Sequence, residues 1–159
     1  MAKFDLDEGN YAAAGARIGI AASRFNQHLV GKLLEGAYTT LQAHGVAEAD
    51  IHLVRVPGAF ELPITAMRLA MRGDIDAVIC IGAVVRGDTP HFEFVAGECT
   101  RGLQQVALQT NIPVIFGVIT TNTEQQALDR CGGSEGNKGA EAALAALEIR
   151  NTLAGISSA

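Results

Sequence analysis

Ile79 to Val95 reads I-C-I-G-A-V-V-R-G-D-T-P-H-F-E-F-V, and the order of residue types in it decides the architecture. Val78 to Val85 is an almost unbroken apolar run with several β-branched residues, the pattern of a parallel strand covered on both faces. Gly87 and Asp88 then turn the chain, Thr89 is placed to cap a helix, and Pro90 suits the first helical position, where a missing N–H is harmless. His91 falls in the first helical turn. There the free backbone N–H groups and the positive end of the helix dipole favour an anion by about 0.3 to 2 kcal/mol. Strand, turn and helix together predict an anion site with a titratable imidazole beside it.

Outward from this unit, strands and helices alternate. A loose start over 1–16 leads to a strand near Arg17 to Ser23, a helix from about Asn26 to His44 ended by Gly45, and a strand from Ile51 to Val56. Val30, Leu33, Leu34, Ala37 and Leu41 give the first helix one apolar face. A second helix follows Pro57-Gly58, with Pro63 confined to its first turn, Leu62, Ala66 and Leu69 inward, and a stop at Gly73. The helix carrying His91 repeats Phe92, Val95, Cys99, Gly102 and Val106 at steps of three and four. Ile112 to Ile119 reads as another buried strand, Thr123 with Gln126 as a capping box, and Asn137 to about Leu153 as a long terminal helix. Such alternation with short links predicts an α/β fold, a doubly wound parallel sheet with right-handed crossovers. Ligands of such sheets sit at the carboxyl ends of the strands. The turns Ser23 to Asn26, Pro57 to Glu61, Arg86 to His91 and Thr120 to Thr123 should therefore open on one rim.

Composition agrees and excludes several classes. The 159 residues are 48% hydrophobic, enough for one domain and one core, and only 5% aromatic, which suits close helix and sheet layers. A net charge of −5 gives no general attraction to nucleic acid or to a membrane, so a phosphate must be held by a few placed cations. Cys80, Cys99 and Cys131 have neither disulfide nor zinc spacing, which fits a reducing cytoplasmic compartment and predicts no metal. The N-terminus carries no secretion pattern and no run is long enough to span a bilayer.

Taken singly, the polar residues allow bland readings. His91 reads equally as a proton carrier and as a surface helix histidine, while His28, His44 and His52 lack charged turn partners and read as packing or surface residues. Arg130 and Lys138 flank a glycine-rich stretch, which is either a pair of cations for a phosphate or a flexible turn with a capping arginine. It is not a P-loop, because Gly-Lys is not followed by Ser or Thr. Phe25 and Phe116 are stacking platforms or core, and Glu61 beside Phe60 is a ligand or a favourable helix-start charge.

Together they are specific. Arg24-Phe25-Asn26, V-P-G-A-F-E-L-P at 56–63, G-A-V-V-R-G-D-T-P-H-F-E-F-V at 82–95, P-V-I-F-G-V-I-T-T-N-T at 113–123, and A-L-D-R followed by G-N-K-G resemble the lumazine synthase family, in order and spacing, from about Arg17 to Leu153. The resemblance implies a flavodoxin-like three-layer sandwich, a central parallel four-stranded sheet with helices on both faces. It also implies condensation of 5-amino-6-(D-ribitylamino)uracil with 3,4-dihydroxy-2-butanone 4-phosphate to 6,7-dimethyl-8-ribityllumazine, the penultimate step to riboflavin, with no cofactor.

By the same resemblance, Phe25 stacks on the pyrimidine, Ala59, Phe60 and Glu61 line the ribityl chain, and Ala83, Val84 and Val85 meet the pyrimidine edge. Asp88 and Thr89 cradle the phosphate, His91 transfers protons, and Phe116, Arg130 and Lys138 come from a neighbouring subunit, Arg130 onto the phosphate. The implied assembly is a pentamer with active sites between subunits. The absence of an insertion at the turn favours an icosahedral capsid of pentamers, with riboflavin synthase as the one protein partner left open and the N-terminal segment reaching a neighbour. Two positions depart from the family pattern: Asp88 sets a carboxylate beside the phosphate, and Ser134 stands where a lysine is common. Rival readings are a non-catalytic flavodoxin-like module holding flavin or a phosphorylated ligand, an inactive shell protein, and archaeal riboflavin synthase.

Overall fold

Four extended runs, each followed by a helix that carries the chain back, form four parallel strands. In the computed structural model, which describes residues 9–157, β1 (Ile18–Ser23), β2 (Ile51–Val56), β3 (Ala77–Val85) and β4 (Val114–Thr121) pair in the order β2-β1-β3-β4. The connecting helices are α1 (Gln27–Ala43), α2 (Leu62–Ala70) and α3 (His91–Thr110), followed by a short α4 (Glu124–Asp129) and the terminal α5 (Lys138–Ser157). This is the first part of the 2-1-3-4-5 order of flavodoxin-like sheets. None of the helices, among the described residues, is long and apolar enough to cross a membrane.

Strand parity explains why β1 and β3 are apolar throughout. Ile18, Ile20, Ala22, Ile79, Ile81 and Ala83 point to one face and pack with Leu29, Leu33, Ala37, Ala143 and Leu147 of α1 and α5. Ala21, Val78 and Cys80 point to the other and pack with Leu62, Ala66, Cys99 and Leu103 of α2 and α3. The result is a three-layer sandwich. On the first face α5 lies so close to α1 that a Cβ on Gly139 would sit 1.8 Å from the Leu33 carbonyl oxygen. Asn137 fastens the same junction, accepting from the Gly139 and Ala140 amides while donating to Lys32 O at 3.1 Å. G-N-K-G is therefore, in part, a helix start and a helix crossing.

Four expectations need correction. Ile112–Ile119 begins two residues early and is not fully buried: β4 is a sheet edge, and Phe116 stands 46% exposed. Helix α3 starts at His91 rather than Pro90, whose ψ of 5° falls short of helical, and no side chain caps it; Thr89 Oγ1 only accepts a long 3.4 Å bond from His91 N. The second helix ends at Ala70, with Gly73 in the turn beyond it. The glycine-rich stretch is a small antiparallel hairpin, β5 (Cys131–Gly133) with β6 (Gly136–Asn137), rather than a plain turn. The capping box at Thr123 and Gln126 forms as read. Of the N-terminal segment, 1–8 lies outside the described residues; 9–16 has no regular structure, yet Asn151 donates to Asn10 O and Ala12 O, both at 2.9 Å.

Candidate active site

The chain leaves β1 toward one face of the sheet and β3 toward the other, so the turns after these neighbouring strands part and leave a crevice. The β1 turn is locked in place. Arg24 N donates to Val56 O at 2.7 Å and Phe25 N to Pro57 O at 3.0 Å. Arg55 reaches back from β2 to donate to Ala22 O and Ser23 O and to meet Gln27. Asn26 takes the left-handed conformation (φ 60°), which its short polar side chain tolerates, and donates across the crevice to Ala83 O at 2.9 Å. With its backbone so held, Phe25 stands 71% exposed on the crevice wall.

The crevice is a cavity of about 650 Å³. Its walls are Phe25 and Asn26 from the first turn, Gly58 to Glu61 from the second, and Ala83 to Val85, Gly87, Thr89, His91, Phe92, Phe94 and Val95 from the third. Nine of the site residues named from sequence meet here: Phe25, Ala59, Phe60, Glu61, Ala83, Val84, Val85, Thr89 and His91. The lining is mostly apolar and aromatic, with Glu61 its one carboxylate and no lysine or arginine. Asp88 lies on the same loop but is exposed and outside the cavity wall.

The remaining three residues gather elsewhere. Phe116, Arg130 and Lys138 share a separate hollow of about 400 Å³ with Ile115, Val118, Thr120 and Glu141, along the free edge formed by β4 and α5. Arg130 Nη1 donates to Gln126 O at 2.9 Å, and Lys138 Nζ pairs with Glu141 at 2.8 Å. Both cations are half-buried. The chain thus carries an apolar cavity without cations and a cationic hollow without a cavity wall of aromatics beyond Phe116.

Several residues at the site escaped the sequence reading. Phe92 and Phe94 line the cavity without having been named as site residues, and Asn26 and Arg86, read only as part of the rim turns, have specific places: Asn26 lines the cavity, and Arg86 holds its loop, with Nε donating to Asn122 Oδ1 at 2.9 Å and Nη1 to Glu93 at 3.2 Å. An arginine beside a glycine turn was a visible signal; its partners were not. His28 does have a charged partner, Glu124 at the start of α4, and His44 packs edge-on to Tyr11. The three cysteines are buried and line neither hollow. Burial pushes the Cys80 thiol up strongly and Cys99 up to about 11; it also raises Cys131, with Lys32 pulling the other way. They are poor nucleophiles at neutral pH.

A parallel sheet of this order with a cavity at the β1/β3 switch point defines the class: a flavodoxin-like α/β protein whose site is built from strand-end turns. Within that class the chain belongs to the 6,7-dimethyl-8-ribityllumazine synthase family, whose model matches residues 15–154. It is accordingly a transferase family member of riboflavin biosynthesis.

Proposed function

We propose that this protein condenses 5-amino-6-(D-ribitylamino)uracil with 3,4-dihydroxy-2-butanone 4-phosphate, releasing phosphate and water to give 6,7-dimethyl-8-ribityllumazine. The observation that carries the reading is the separation of charge from shape. A phosphate dianion needs a cation, and the cavity with the aromatic wall has none, while Arg130 and Lys138 lie in the edge hollow. Each complete site therefore takes its cavity from one subunit and its cations from the next, in a pentameric ring and, with no insertion to prevent it, in a capsid of such rings.

In the complete site Phe25 stacks on the pyrimidine, Ala83, Val84 and Val85 meet its edge, and Glu61 accepts ribityl hydroxyls beside Ala59 and Phe60. The neighbour's Phe116 and Lys138 close the pyrimidine side. The phosphate sits at the start of α3, on the Asp88 and Thr89 amides and the Thr89 hydroxyl, opposite the neighbour's Arg130. The substrate's own amine attacks the ketone and water leaves to form the imine; phosphate then departs, and the ribityl-bearing nitrogen closes the ring with loss of a second water. His91 carries protons between these steps. No cofactor is needed, because both electron pairs come from substrate nitrogens and the protein mainly positions them, which can be worth an effective molarity of about 10⁵ M or more. The reaction belongs in the cytoplasm.

Subunit mixing tests the shared site. His91→Ala and Arg130→Ala variants, unfolded together and reassembled in equal amounts, should regain wild-type sites at about one interface in four, because a head-to-tail contact pairs intact halves at random. Lumazine fluorescence above the spontaneous rate reads the recovery. No recovery on mixing would place both residues in one subunit's site, and a wild-type protein that makes no lumazine would leave only a ligand-binding module.

A further inference from the structure

The Gly87–Pro90 turn has almost nothing of its own to define its shape. Its hydrogen bonds are the long 3.4 Å contact from His91 N to Thr89 Oγ1 and the 3.0 Å bond from Glu93 N to Pro90 O. Gly87 adds a residue without rotamer restraint, and the turn's residues are all exposed. Yet the proposed reaction needs its amides and His91 held within fractions of an ångström. Something outside the turn must fix both its ends.

Arg86 does this with its backbone and its side chain together. Its backbone N closes the last rung to Thr121 O at 2.8 Å, anchoring the end of β3 against β4. Its Nε then donates to Asn122 Oδ1 at 2.9 Å, while Nη1 donates to Glu93 Oε1 at 3.2 Å in the first turn of α3. The guanidinium lies 4.4 Å from the ring centre of Phe92, the cavity-wall residue next to His91. Asn122 is itself fixed, since its N donates to Gln126 Oε1 at 2.8 Å within the α4 capping box. The turn is thereby spanned by a brace running from a rigid helix start, through one planar fork, to the helix that carries His91.

Resting on the reading of the site given above, we propose that Arg86 is a positioning residue of the reaction: braced between Asn122 and Glu93 and laid on Phe92, it fixes the Gly87–Pro90 turn and His91, and it is not itself the phosphate ligand. Two of its fork positions are already engaged with protein oxygens, and it does not line the cavity. A fork that stacks on a ring is what an arginine supplies and a lysine does not.

The test compares Arg86→Lys, Arg86→Gln and Asn122→Ala in the assembled protein. A brace requires the fork, so Arg86→Lys should fail nearly as badly as Arg86→Gln. We expect kcat to fall about 10- to 100-fold in both, with a smaller change in KM for the phosphate substrate. Asn122 lines neither hollow, yet Asn122→Ala should move kcat in the same direction, and adding it to Arg86→Lys should cost little more. A phosphate ligand would behave otherwise: Arg86→Lys would raise KM and spare kcat, and Asn122→Ala would match wild type. That result would overturn the proposal. Hydrogen exchange of the Arg86, His91 and Glu93 amides, the hydrogen-bonded ones that flank the turn, needs no turnover and decides the matter even if wild type makes no lumazine or Arg86→Gln fails to assemble. Exchange at least about tenfold faster in Arg86→Lys and Asn122→Ala supports the brace, and unchanged exchange sinks it.

Discussion

The cavity at the β1/β3 rim and the hollow along β4 are made from opposite materials. The first is concave, walled by Phe25, Phe60, Phe92 and Phe94, and holds one carboxylate with no cation. The second is smaller, runs along a bare sheet edge, and holds Arg130 and Lys138 with one balancing carboxylate. Neither alone suits a phosphorylated ketone beside a heterocycle. Each region lacks what the other has, and on the proposed reading a single subunit is therefore not a complete enzyme.

The harshest way to break that comparison is to strip the cation from the second region. Arg130→Ala should lower kcat/KM for the phosphate substrate by about 10² to 10³, the usual cost of deleting a fixed group that stabilises developing charge. His91→Ala, in the first region, should slow turnover by about 10², near the lower bound for proton transfer, because positioning by the surrounding walls survives. Steady-state kinetics checks both. Equal activity of the arginine variant and wild type would mean that the cationic hollow has no part in the chemistry.

How much of this was legible before the structure follows the same divide. The β3 strand, the turn and the helix after it could be read because a doubly covered strand must be apolar on every residue and a glycine turn must be polar. That β4 is an edge could not be read, since a free edge is a fact about which strand is missing beside it; Val114 to Ile119 is as apolar as β3. The hairpin at Cys131 to Asn137 was hidden because Gly132 and Gly136, both at positive φ, look like any turn. Asn26 bonded to Ala83 and Arg86 braced on Asn122 join residues 57 and 36 positions apart, and no local pattern encodes such a meeting. The separation of Arg130 from His91 came only through the family resemblance.

Thiols sharpen the contrast between the two faces of the sheet. Cys80 and Cys99 lie under the cavity side, packed with α2 and α3, whereas Cys131 sits on the α1 and α5 side near Lys32. A thiol-specific reagent should therefore label Cys131 well ahead of the other two in folded protein, as mass spectrometry of timed digests would show. The same burial makes stability depend on pH. A thiol with a raised folded-state pKa binds its proton longer than in the unfolded chain, so the folded state is favoured fully below the ordinary value of 9.0 and loses that advantage as pH rises toward about 11. Denaturation midpoints should fall across that window, and Cys99→Ala should fall less steeply. An identical slope would mean Cys99 ionises freely.

The smallest effect concerns Asp88, which stands on the loop of the first region yet outside its wall. A carboxylate there repels an incoming dianion through water rather than through protein. Across water at an exposed turn, where screening is strong, the penalty is about two- to threefold in affinity. Asp88→Asn should lower KM for the phosphate substrate by about that factor at low salt, and the gain should vanish near 1 M salt, where the Debye length is only about 3 Å. Rate measurements in both buffers test it. On the proposed reading, in which the loop contributes only amides and the charge comes from the hollow, kcat should not change. A drop in kcat instead would show that this carboxylate takes part in the chemistry, and that the first region holds more of the charge machinery than its lining suggests.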